Sequence, residues 1–351
     1  MADVWLDCAT PKHAILGSIL YSYLAKQNVD VLVTARQQTQ TCDLLKIFHT
    51  PFVEIGKYGA TLAEKLQEEA ERILALLKLF KEKGTPKVLW THGEISAIRT
   101  AFGLEIPIVL TNDTVHAEHV GRLSGPLVNC LVAPVCFGFS WVGFGVPRER
   151  TFFYGGIEEV ALIREMKYPE QKSPRKRKRI LFRNVEYNAS YYRGIARERA
   201  MKIGVDKILK ELKEIADVVV MPRYESEMLS LEKLKDEHLE IVTGTRVTLD
   251  VLKDIDYVVG SGGSICRESA LLGIPTISFC FWDVIAQYLS CKGFPISLVE
   301  ESEGIVENVR QWLANGGKKV DVKAKFEKLE SPIPLSLSKI EDARKIVNVR
   351  N

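Results

Sequence analysis

The sequence predicts an α/β protein made of two successive halves, each built on a parallel sheet. The chain has 351 residues, and a single hydrophobic core stops growing near ~250–300 residues. Short apolar runs typical of strands alternate with segments of helical periodicity along the chain. Polar or glycine turns follow many of these runs, as they do at the carboxyl edge of a parallel sheet.

The composition is that of an ordinary globular protein and indicates no particular partner. Apolar residues make up 46% and charged residues 26%, and the formal net charge is +3. We find no apolar run of about 18 residues, and residues 1–7 lack the pattern of a signal peptide. The seven cysteines include no C-x-x-C pair, which argues against a disulfide framework or a zinc site. We therefore expect a cytoplasmic protein, with a peripheral position at the inner face of the membrane as a further option.

Residues 1–166 form the first predicted domain, which opens with a βαβ unit. We predict its strands at 4–6, 29–35, 52–56, 87–91, 106–110, 127–133 and 152–154. Its clearest helix runs from Thr61 to Lys83. The apolar side chains of that helix share one face that we expect to pack in the core, namely Leu62, Leu66, Ala70, Ile73, Leu77 and Phe80.

A basic linker at residues 167–179 leads to the second predicted domain, residues 180–330. We predict its strands at 180–183, 218–222, 239–242, 257–259 and 276–279, with a helix at 191–203. The prolines of 331–334 are expected to break the chain before a last helix at 340–347. Residues 331–351 are expected to pack back on the first domain.

Polar side chains gather after three strands of the first half, where ligands bind in open parallel sheets. They are Asp7, Thr10 and His13 after the first strand, His92 and Glu94 after the fourth, and Asn112, Asp113 and His116 after the fifth. A general base needs a near-neutral pKa and reach to the reacting hydroxyl. His13 is therefore the first candidate base, followed by His92 and Glu94, with Asp7 as a further catalytic candidate.

A structural role is the alternative for the first of these turns, because Thr10 or Asp7 also suits the cap of the helix that follows. No histidine has the H-x-x-x-H or H-E-x-x-H spacing of a metal site. We therefore expect no metal ion.

The stretch 256–279 predicts a strand, a glycine turn, a helix that ends at Gly273, and a second strand. A turn without side chains lets a ligand approach the backbone, and the following helix directs free N–H groups at an anion. Gly262, Gly263 and Ser264 are therefore candidates to bind phosphate. Glu268 lies where a carboxylate accepts hydrogen bonds from a sugar hydroxyl.

Two arginines, Arg183 and Arg223, follow strands of the second half on the same edge as this turn. Two fixed cations would suit a diphosphate by bidentate pairing, although either could pair with a structural carboxylate instead. The block Arg175–Arg179 has five consecutive basic residues. It allows a nucleic-acid or acidic-lipid patch, but a solvated linker is favoured because no stacking platform of aromatic residues accompanies it.

Several motifs together resemble the GT-B fold of nucleotide-sugar glycosyltransferases and hydrolysing UDP-GlcNAc 2-epimerases. More specifically, the chain resembles an uncharacterised prokaryotic, mainly archaeal GT-B-like family known as a domain of unknown function. The resemblance covers nearly the whole chain. It rests on Thr10-Pro11, Thr34-Ala35-Arg36, residues 99–104, Asn112-Asp113, Gly155-Gly156-Ile157-Glu158-Glu159, Pro222-Arg223-Tyr224, and the stretch from Gly262 to Pro275.

The glycine-turn segment is also similar to the donor signature of the peptidoglycan N-acetylglucosaminyltransferase. That similarity implies diphosphate on Gly262 to Ser264, ribose on Glu268 and the donor sugar on Gln287. The hydrolysing epimerases have two adjacent acids where this chain has Arg267-Glu268, which counts against an epimerase. His92-Gly93-Glu94 resembles their Gly-Asp turn, so that alternative stays open.

The resemblance implies a metal-independent glycosyltransferase of two Rossmann-like domains, which binds a nucleotide-diphospho-sugar, most naturally a UDP-sugar, in the cleft between them. No cofactor beyond this substrate is expected. Thr10, Asn112, Asp113 and His116 would face an unknown acceptor, either a lipid or a saccharide. The alternatives are a hydrolysing UDP-HexNAc 2-epimerase and a non-catalytic GT-B-like binding protein. No nucleic-acid partner is expected, and the absence of G-x-G-x-x-G from the first turn disfavours a dinucleotide oxidoreductase.

Overall fold

The computed structural model describes residues 1–166, 175–185, 204–222, 225–279, 283–299 and 303–350. The chain folds into two compact units, unit 1 with Met1–Glu165 and Glu330–Asn351, and unit 2 with Met166–Leu329. Three features of the sequence analysis lie outside the described residues. They are the helix predicted at 191–203, Arg223, and most of the predicted linker.

Within its described residues, unit 1 contains one parallel sheet of seven strands in the order β3-β2-β1-β4-β5-β6-β7. These strands are β1 (Val4–Cys8), β2 (Val31–Ala35), β3 (Val53–Glu54), β4 (Leu89–Thr91), β5 (Ile108–Thr111), β6 (Cys130–Pro134) and β7 (Thr151–Tyr154). The chain moves outward in one direction from β1 to β3 and in the other from β4 to β7. The strand order therefore reverses between β1 and β4, and ligands of open α/β sheets bind outside the carboxyl ends at such a point.

The helices of unit 1 cover the two faces of its sheet. They are α1 (Pro11–Lys26), α2 (Thr39–Ile47), α3 (Leu62–Lys83), α4 (Ile95–Gly103), α5 (Glu118–Ser124), α6 (Glu159–Met166) and, from the end of the chain, α14 (Pro332–Arg350). Trp5, Leu76, Leu89 and Trp141 are among the fully buried side chains of its core. Such buried faces are what the near-continuous apolar runs of the strands predict.

Unit 2 repeats this plan with six described strands in the order β10-β9-β8-β11-β12-β13. They are β8 (Arg179–Arg183), β9 (Asp217–Val220), β10 (Leu239–Ile241), β11 (Tyr257–Gly260), β12 (Thr276–Phe279) and β13 (Ile296–Val299). The described helices are α7 (Val205–Ile215), α8 (Glu225–Leu234), α9 (Thr248–Leu252), α10 (Ser264–Leu271), α11 (Val284–Cys291), α12 (Glu303–Ala314) and α13 (Lys323–Phe326). The order reverses between β8 and β11, so the glycine turn after β11 lies at the corresponding position of this sheet.

The predicted core face of α3 is wrong over its first half. Leu62 is 78% exposed and Leu66 is 70% exposed, Ala70 is also exposed, and Ile73 and Leu77 are half-buried. The residues that are buried on this helix are Arg72, Leu76, Leu79 and Phe80. The helix is oriented by Arg72, whose guanidinium reaches carboxylates on β1 and before α4. Helical periodicity gives the spacing of a face but does not reveal that an arginine lies at its centre.

The prolines of 331–334 begin the last helix and do not interrupt the chain before it. α14 starts at Pro332 and continues to Arg350. Proline has no N–H to lose in the first turn of a helix, and its fixed φ already suits that turn. The predicted helix at 340–347 is therefore the second half of a longer one, which packs against β5 and β6.

The basic block Arg175–Arg179 is balanced by acidic side chains of unit 2. Four of its members make ion pairs, namely Arg175 with Asp254, Arg177 with Asp217, Lys178 with Asp256, and Arg179 with Glu240. Arg177 also donates to the carbonyl oxygens of Lys213 and Ala216 at 2.8 and 3.1 Å. The block thus fastens the first strand of unit 2 to its neighbours. Among the described residues, no helix is both long and apolar enough to cross a membrane.

Gly273 ends α10 at a position where a side chain would be costly. Its φ is +74°, and an added Cβ would lie 2.0 Å from the carbonyl oxygen of Val320. Gly244 has a similar φ of +78°, but an added Cβ there would meet nothing within 4 Å. An alanine at either position would therefore strain the backbone, and at Gly273 it would also clash with Val320.

We predict that Gly244→Ala lowers the free energy of unfolding by about 1 kcal/mol through backbone strain alone. Gly273→Ala should lower the free energy of unfolding by roughly 3 kcal/mol, because overpacking adds to that strain. Both glycines belong to unit 2, so one urea-unfolding transition reports both variants. Equal losses in the two variants would show that the contact with Val320 is not restrictive.

Candidate functional site

The candidate site of unit 1 lies where the strand order reverses. Asp7 pairs in register with Thr91 across β1 and β4, so the turns after these two strands leave the sheet side by side. The turn after β5 and the segment after β7 lie on the same carboxyl edge. The polar residues predicted from the sequence are thereby brought to one place.

Arg72 joins two of the predicted catalytic candidates in a buried ion cluster. Its Nη2 lies 2.6 Å from Asp7 Oδ1, and its Nη1 lies 2.5 Å from Glu94 Oε2. The same guanidinium donates to Ser96 Oγ at 2.9 Å and to the carbonyl oxygen of Ile55 at 2.9 Å. Arg72 is 2% exposed and Asp7 is fully buried. A guanidinium with every arm engaged in this way organises its neighbours and leaves little freedom for proton transfer.

The electrostatics of this cluster follow from burial and from the shared guanidinium. Burial raises the pKa of Asp7 and outweighs the opposing effect of Arg72. Burial acts in the same direction on Glu94, but Arg72 and the Ser96 hydroxyl overcome it, so the pKa of Glu94 lies below its ordinary value. Glu94 also accepts from the backbone N–H of Ala97 at 2.8 Å and so caps α4. Asp7 and Glu94 are thus both held in place by Arg72 at this edge.

A second cluster, here called the Lys12 cluster, consists of Lys12, His92, Asp113, Glu158 and Glu159. Lys12 Nζ lies 2.5 Å from Asp113 Oδ2, 2.9 Å from Glu158 Oε2 and 3.4 Å from Glu159 Oε1. The side chains of the three acids are only 1–2% exposed. Buried carboxylates need a cation or hydrogen-bond donors, and Lys12 contacts all three.

His92 and Glu158 form a pair with the geometry of an oriented base. His92 Nε2 lies 2.9 and 2.8 Å from the two carboxylate oxygens of Glu158. A neutral ring that donates from Nε2 carries its lone pair on Nδ1, so the carboxylate fixes the tautomer. Asn112 donates from its side chain to the carbonyl oxygen of His92 at 2.6 Å and steadies the same turn.

The ring of His13 packs against that of His92, with centroids 4.6 Å apart. Burial, the neighbouring His92 and the cations Arg36 and Lys12 lower the pKa of His13 well below its ordinary value. The Nδ1 atom of His13 accepts from the backbone N–H of Ala9 at 3.3 Å. A neutral ring held in this way has its proton on Nε2. His13 is therefore better suited to donate a hydrogen bond than to take up a proton.

The glycine turn after β7 aims two acids into the Lys12 cluster. Gly155 donates its N–H to Glu330 Oε2 at 2.5 Å, and an added Cβ on Gly156 would lie 2.0 Å from the carbonyl oxygen of Glu330. Only glycine allows the segment before α14 to approach so closely. The chain then continues directly into Glu158 and Glu159.

Tyr154, the last residue of β7, is 2% exposed, and its hydroxyl has no hydrogen-bond partner among the described residues. Burial, followed by the carboxylates of Glu158, Asp113 and Glu159, raises its pKa well above the ordinary value. The hydroxyl is thus a protonated donor beside the acids of the Lys12 cluster. An unsatisfied buried hydroxyl costs about 1–3 kcal/mol, which a bound ligand would recover.

The remaining acceptor-side candidates differ in burial. Thr10 caps α1 by accepting from the N–H of His13 at 3.4 Å, which is the structural alternative considered above. Asn112 and Asp113 are 2% exposed, whereas His116 is exposed and follows them in the same loop.

In unit 2, the glycine turn leads from β11 into α10 as predicted from the sequence. Gly262 and Gly263 have φ of 97° and 80°, values that glycine adopts without strain. Gly263 occupies the N-cap position of α10 and makes no side-chain cap there, and within the described part of the chain an added Cβ on Gly263 would meet nothing within 4 Å. Uncapped N–H groups beside open space are what an anion requires.

The other donor-side candidates of unit 2 lie around this turn. Arg183 is half-buried and donates to the carbonyl oxygens of Met221 and Pro222 at 2.5 and 3.1 Å. Glu268 is 3% exposed on α10, and Gln287 is exposed on α11. Arg223 lies outside the described residues.

Arg267, which stands where the hydrolysing epimerases have an acid, is buried and paired. Its Nε lies 3.1 Å from Asp283 Oδ2 and its Nη2 lies 3.0 Å from Asp283 Oδ1. Asp283 also accepts from the N–H groups of Ile285 and Ala286 at the start of α11. The arginine thus ties α10 to α11 by a bidentate pair.

Four residues of the unit 1 edge were not among the predicted site residues, namely Lys12, Arg72, Glu158 and Glu159. Glu158 and Glu159 did carry a local signal, because they follow a glycine turn at the end of a strand. Arg72 interrupts an apolar stripe, which is the signal of a buried arginine that seeks a partner. Lys12 carried no local sequence signal, since its partner Asp113 is 101 residues away.

Comparison with known proteins places this architecture in a family. The family described as "Protein of unknown function (DUF354)" matches residues 2–343. The chain belongs to that family. A relative from Methanocaldococcus jannaschii, "Uncharacterized protein MJ0665", is 30% identical over 286 residues, which is 79% of this chain and 81% of the relative. The predicted membership in an uncharacterised GT-B-like family is confirmed.

Solved structures with the same architecture have low sequence identity. The UDP-GlcNAc 2-epimerase of Methanocaldococcus jannaschii, in complex with UDP-GlcNAc and UDP, is 14% identical with a TM-score of 0.70, over 99% of this chain and 98% of that one. The spinosyn forosaminyltransferase SpnP is 12% identical with a TM-score of 0.63, over 98% and 99% of the two chains. These likenesses confirm the predicted GT-B type of α/β fold.

We predict that Arg72→Met lowers the free energy of unfolding by about 3–5 kcal/mol, because it removes the guanidinium that pairs with the buried carboxylates of Asp7 and Glu94. The defect should shrink at pH 5, where protonation of the carboxyls removes those charges. Urea unfolding at pH 8 and pH 5 measures both effects. The matched control is Lys78→Met on the exposed side of α3, and a loss no larger than that of the control would contradict a central role for Arg72.

Proposed function

We propose that the protein is a glycosyltransferase that uses a nucleotide-diphospho-sugar. Unit 2 would hold the diphosphate at the glycine turn and the start of α10. Unit 1 would hold the acceptor and supply the base. The observation that carries the proposal is the His92–Glu158 pair, since an imidazole oriented by a buried carboxylate is the usual device for activating a hydroxyl.

The proposed reaction is a base-assisted displacement at the anomeric carbon of the donor sugar. The acceptor oxygen forms a bond to that carbon while the bond from the carbon to the diphosphate oxygen breaks. The electron pair leaves with the nucleoside diphosphate, and the acceptor proton passes to Nδ1 of His92. Glu158 stabilises the imidazolium that results. The N–H groups of α10 would meet the charge that develops on the leaving group, which makes a metal ion unnecessary for that task.

Other side chains of the unit 1 edge have supporting roles in this proposal. Tyr154 would donate its hydroxyl hydrogen to an oxygen of the acceptor. His13 would donate from Nε2, in keeping with the tautomer that Ala9 imposes. Asp113 would accept from a second acceptor hydroxyl or remain paired with Lys12.

The second candidate is a hydrolysing 2-epimerase of UDP-HexNAc. The buried acids beside His92 favour it, because epimerisation at C2 requires proton removal and return by groups of this kind. Among the structures of similar fold, one is a UDP-GlcNAc 2-epimerase with UDP-GlcNAc and UDP bound. The bidentate pair of Arg267 with Asp283 counts against it, since this chain has a neutralised cation in place of an acid.

The donor half of the proposal is tested by placing a negative charge at the start of α10. Ser264→Asp should leave stability unchanged or improve it, because a carboxylate favours a helix N-terminus. The same carboxylate should repel a diphosphate and weaken nucleotide-sugar binding at least ten-fold. Calorimetric titration with UDP-, GDP- and dTDP-sugars measures the affinity.

The matched control is Thr248→Asp, which places the same charge at the first residue of α9 and should leave binding unchanged. If the unaltered protein binds none of the nucleotide-sugars at saturation, the proposed function is wrong. Equal binding by Ser264→Asp and the control would exclude the glycine turn as the donor site.

The acid–base half is tested with Glu158→Gln. We expect the turnover number to fall about 10²-fold or more with little change in donor affinity, because the amide no longer fixes the tautomer of His92 or stabilises its cation. Glu165→Gln, on the exposed face of α6, is the control and should retain full turnover.

An NMR time course with UDP-GlcNAc separates the two candidate reactions. Release of UDP that requires an added acceptor identifies a transferase, whereas release of UDP with a 2-epimeric sugar in the absence of acceptor identifies the epimerase. Unchanged turnover in Glu158→Gln would remove the His92–Glu158 pair from either mechanism.

A further inference from the structure

The ammonium group of Lys12 lies where the donor atoms of three other side chains converge. His92 Nε2, one carboxylate oxygen of Asp113 and one of Glu158 all lie within 4.8 Å of one another. Lys12 Nζ approaches two of these groups directly, at 2.5 Å from Asp113 and 2.9 Å from Glu158. A positive charge therefore already lies among them.

The three side chains would make an ordinary set of metal ligands. Imidazole nitrogen and carboxylate oxygen are the donors that Zn²⁺, Mn²⁺ and Co²⁺ accept, at metal distances of roughly 2.0–2.2 Å. Ligands of one ion then lie about 3–4 Å apart. The distances of 2.8 Å from His92 Nε2 to Glu158 Oε2 and 3.9 Å from His92 Nε2 to Asp113 Oδ1 are close to that range.

The charges and hydrogen bonds of the Lys12 cluster also favour a cation at this place. Asp113, Glu158 and Glu159 carry three negative charges, and Lys12 supplies one positive charge. Tyr154 adds a buried hydroxyl that has no partner among the described residues. Without Lys12, these buried acids would lose the ammonium that contacts all three of them, and a metal ion would restore a positive charge at that place.

We propose that Lys12 takes the place of a divalent metal ion and serves as the built-in cation of this site. Lys12 Nζ and His92 Nε2 both contact Oε2 of Glu158. The ammonium therefore holds Glu158 in the orientation that the His92 pair requires. Lys12 is a positioning residue, since it acts through Glu158 and not on the reacting atoms. Its effect on turnover rests on the proposed function, but its effect on metal binding does not.

The test is to remove the ammonium and ask whether a metal ion replaces it. Lys12→Met keeps a long apolar stem without the charge, and Lys12→Arg keeps the charge. Binding of Co²⁺ is followed by calorimetry and by the visible absorption of the bound ion, and binding of Zn²⁺ by calorimetry. Lys26→Met, at the exposed end of the same helix, is the matched control.

We expect Lys12→Met to bind Co²⁺ and Zn²⁺ at least ten-fold more tightly than the unaltered protein, with one ion per chain. Lys12→Arg and Lys26→Met should show no gain. The double variant Lys12→Met/Asp113→Asn should lose the gain, because a ligand is missing. Absence of any gain in Lys12→Met overturns the proposal, and so does equally tight binding by the unaltered protein.

Loss of a buried cation could also unfold the chain, so thermal unfolding of Lys12→Met is measured with and without Zn²⁺. A rise in Tm with Zn²⁺ that the double variant lacks supports the proposal, and no rise in either variant contradicts it. In the turnover assay, Lys12→Met should lower kcat with little change in KM, and Lys12→Arg should restore part of it. If Lys12→Met gains metal binding but the unaltered protein shows no turnover, the role of Lys12 as a cation is retained and the proposed reaction is rejected.

Discussion

The buried guanidinium of Arg72 is the interaction on which the functional edge of unit 1 depends. It joins α3 to β1 through Asp7 and to the turn before α4 through Glu94. Thr34 on β2 extends the network by donating to Asp7 at 2.6 Å and accepting from the indole N–H of Trp5 at 2.7 Å. Such a cluster contributes specificity more than net stability, because desolvation offsets most of the attraction. Its consequence is that the turns after β1 and β4 are held in one arrangement, which presents His13 and His92 to each other.

The Lys12 cluster is built on that arrangement from parts of the chain that are far apart in sequence. Lys12 comes from the first turn of α1, Asp113 from the loop after β5, and Glu158 from the turn after β7. The segment before α14 fixes the last of these, because Glu330 receives the N–H of Gly155 and packs against Gly156. The end of the chain therefore helps to orient the His92–Glu158 pair without contributing a reactive group. The glycine turn of this unit is shaped by close backbone packing.

Local sequence was sufficient to predict the features that depend on residues close together in the chain, such as strands, turns and helix starts. The strand, turn and helix from Tyr257 to Leu271 follow from an apolar run, three glycines and helical spacing, and the structure has them as predicted. The capping box of Thr61 with Glu64 likewise marks the start of α3. The buried face of α3 and the ion pairs of Asp7 and Glu94 were not accessible, because Arg72 is 65 residues from Asp7 and 22 from Glu94. Periodicity locates a helix but does not identify which distant charge sets its rotation, and one arginine here pairs with both Asp7 and Glu94.

The two sheets use the same topological position for opposite electrostatics. In unit 1 the reversal point carries buried acids, two histidines and one ammonium, which suits proton transfer. In unit 2 it carries uncapped N–H groups and glycines with positive φ, which suits an anion. On a single edge, buried carboxylates would repel any anion that approached the helix N-terminus. The two units keep such groups on separate sheets, and the arginine beside Glu268, Arg267, is paired with Asp283. The same sheet topology thus carries a cluster of carboxylates and histidines in unit 1 and a glycine turn before a helix N-terminus in unit 2.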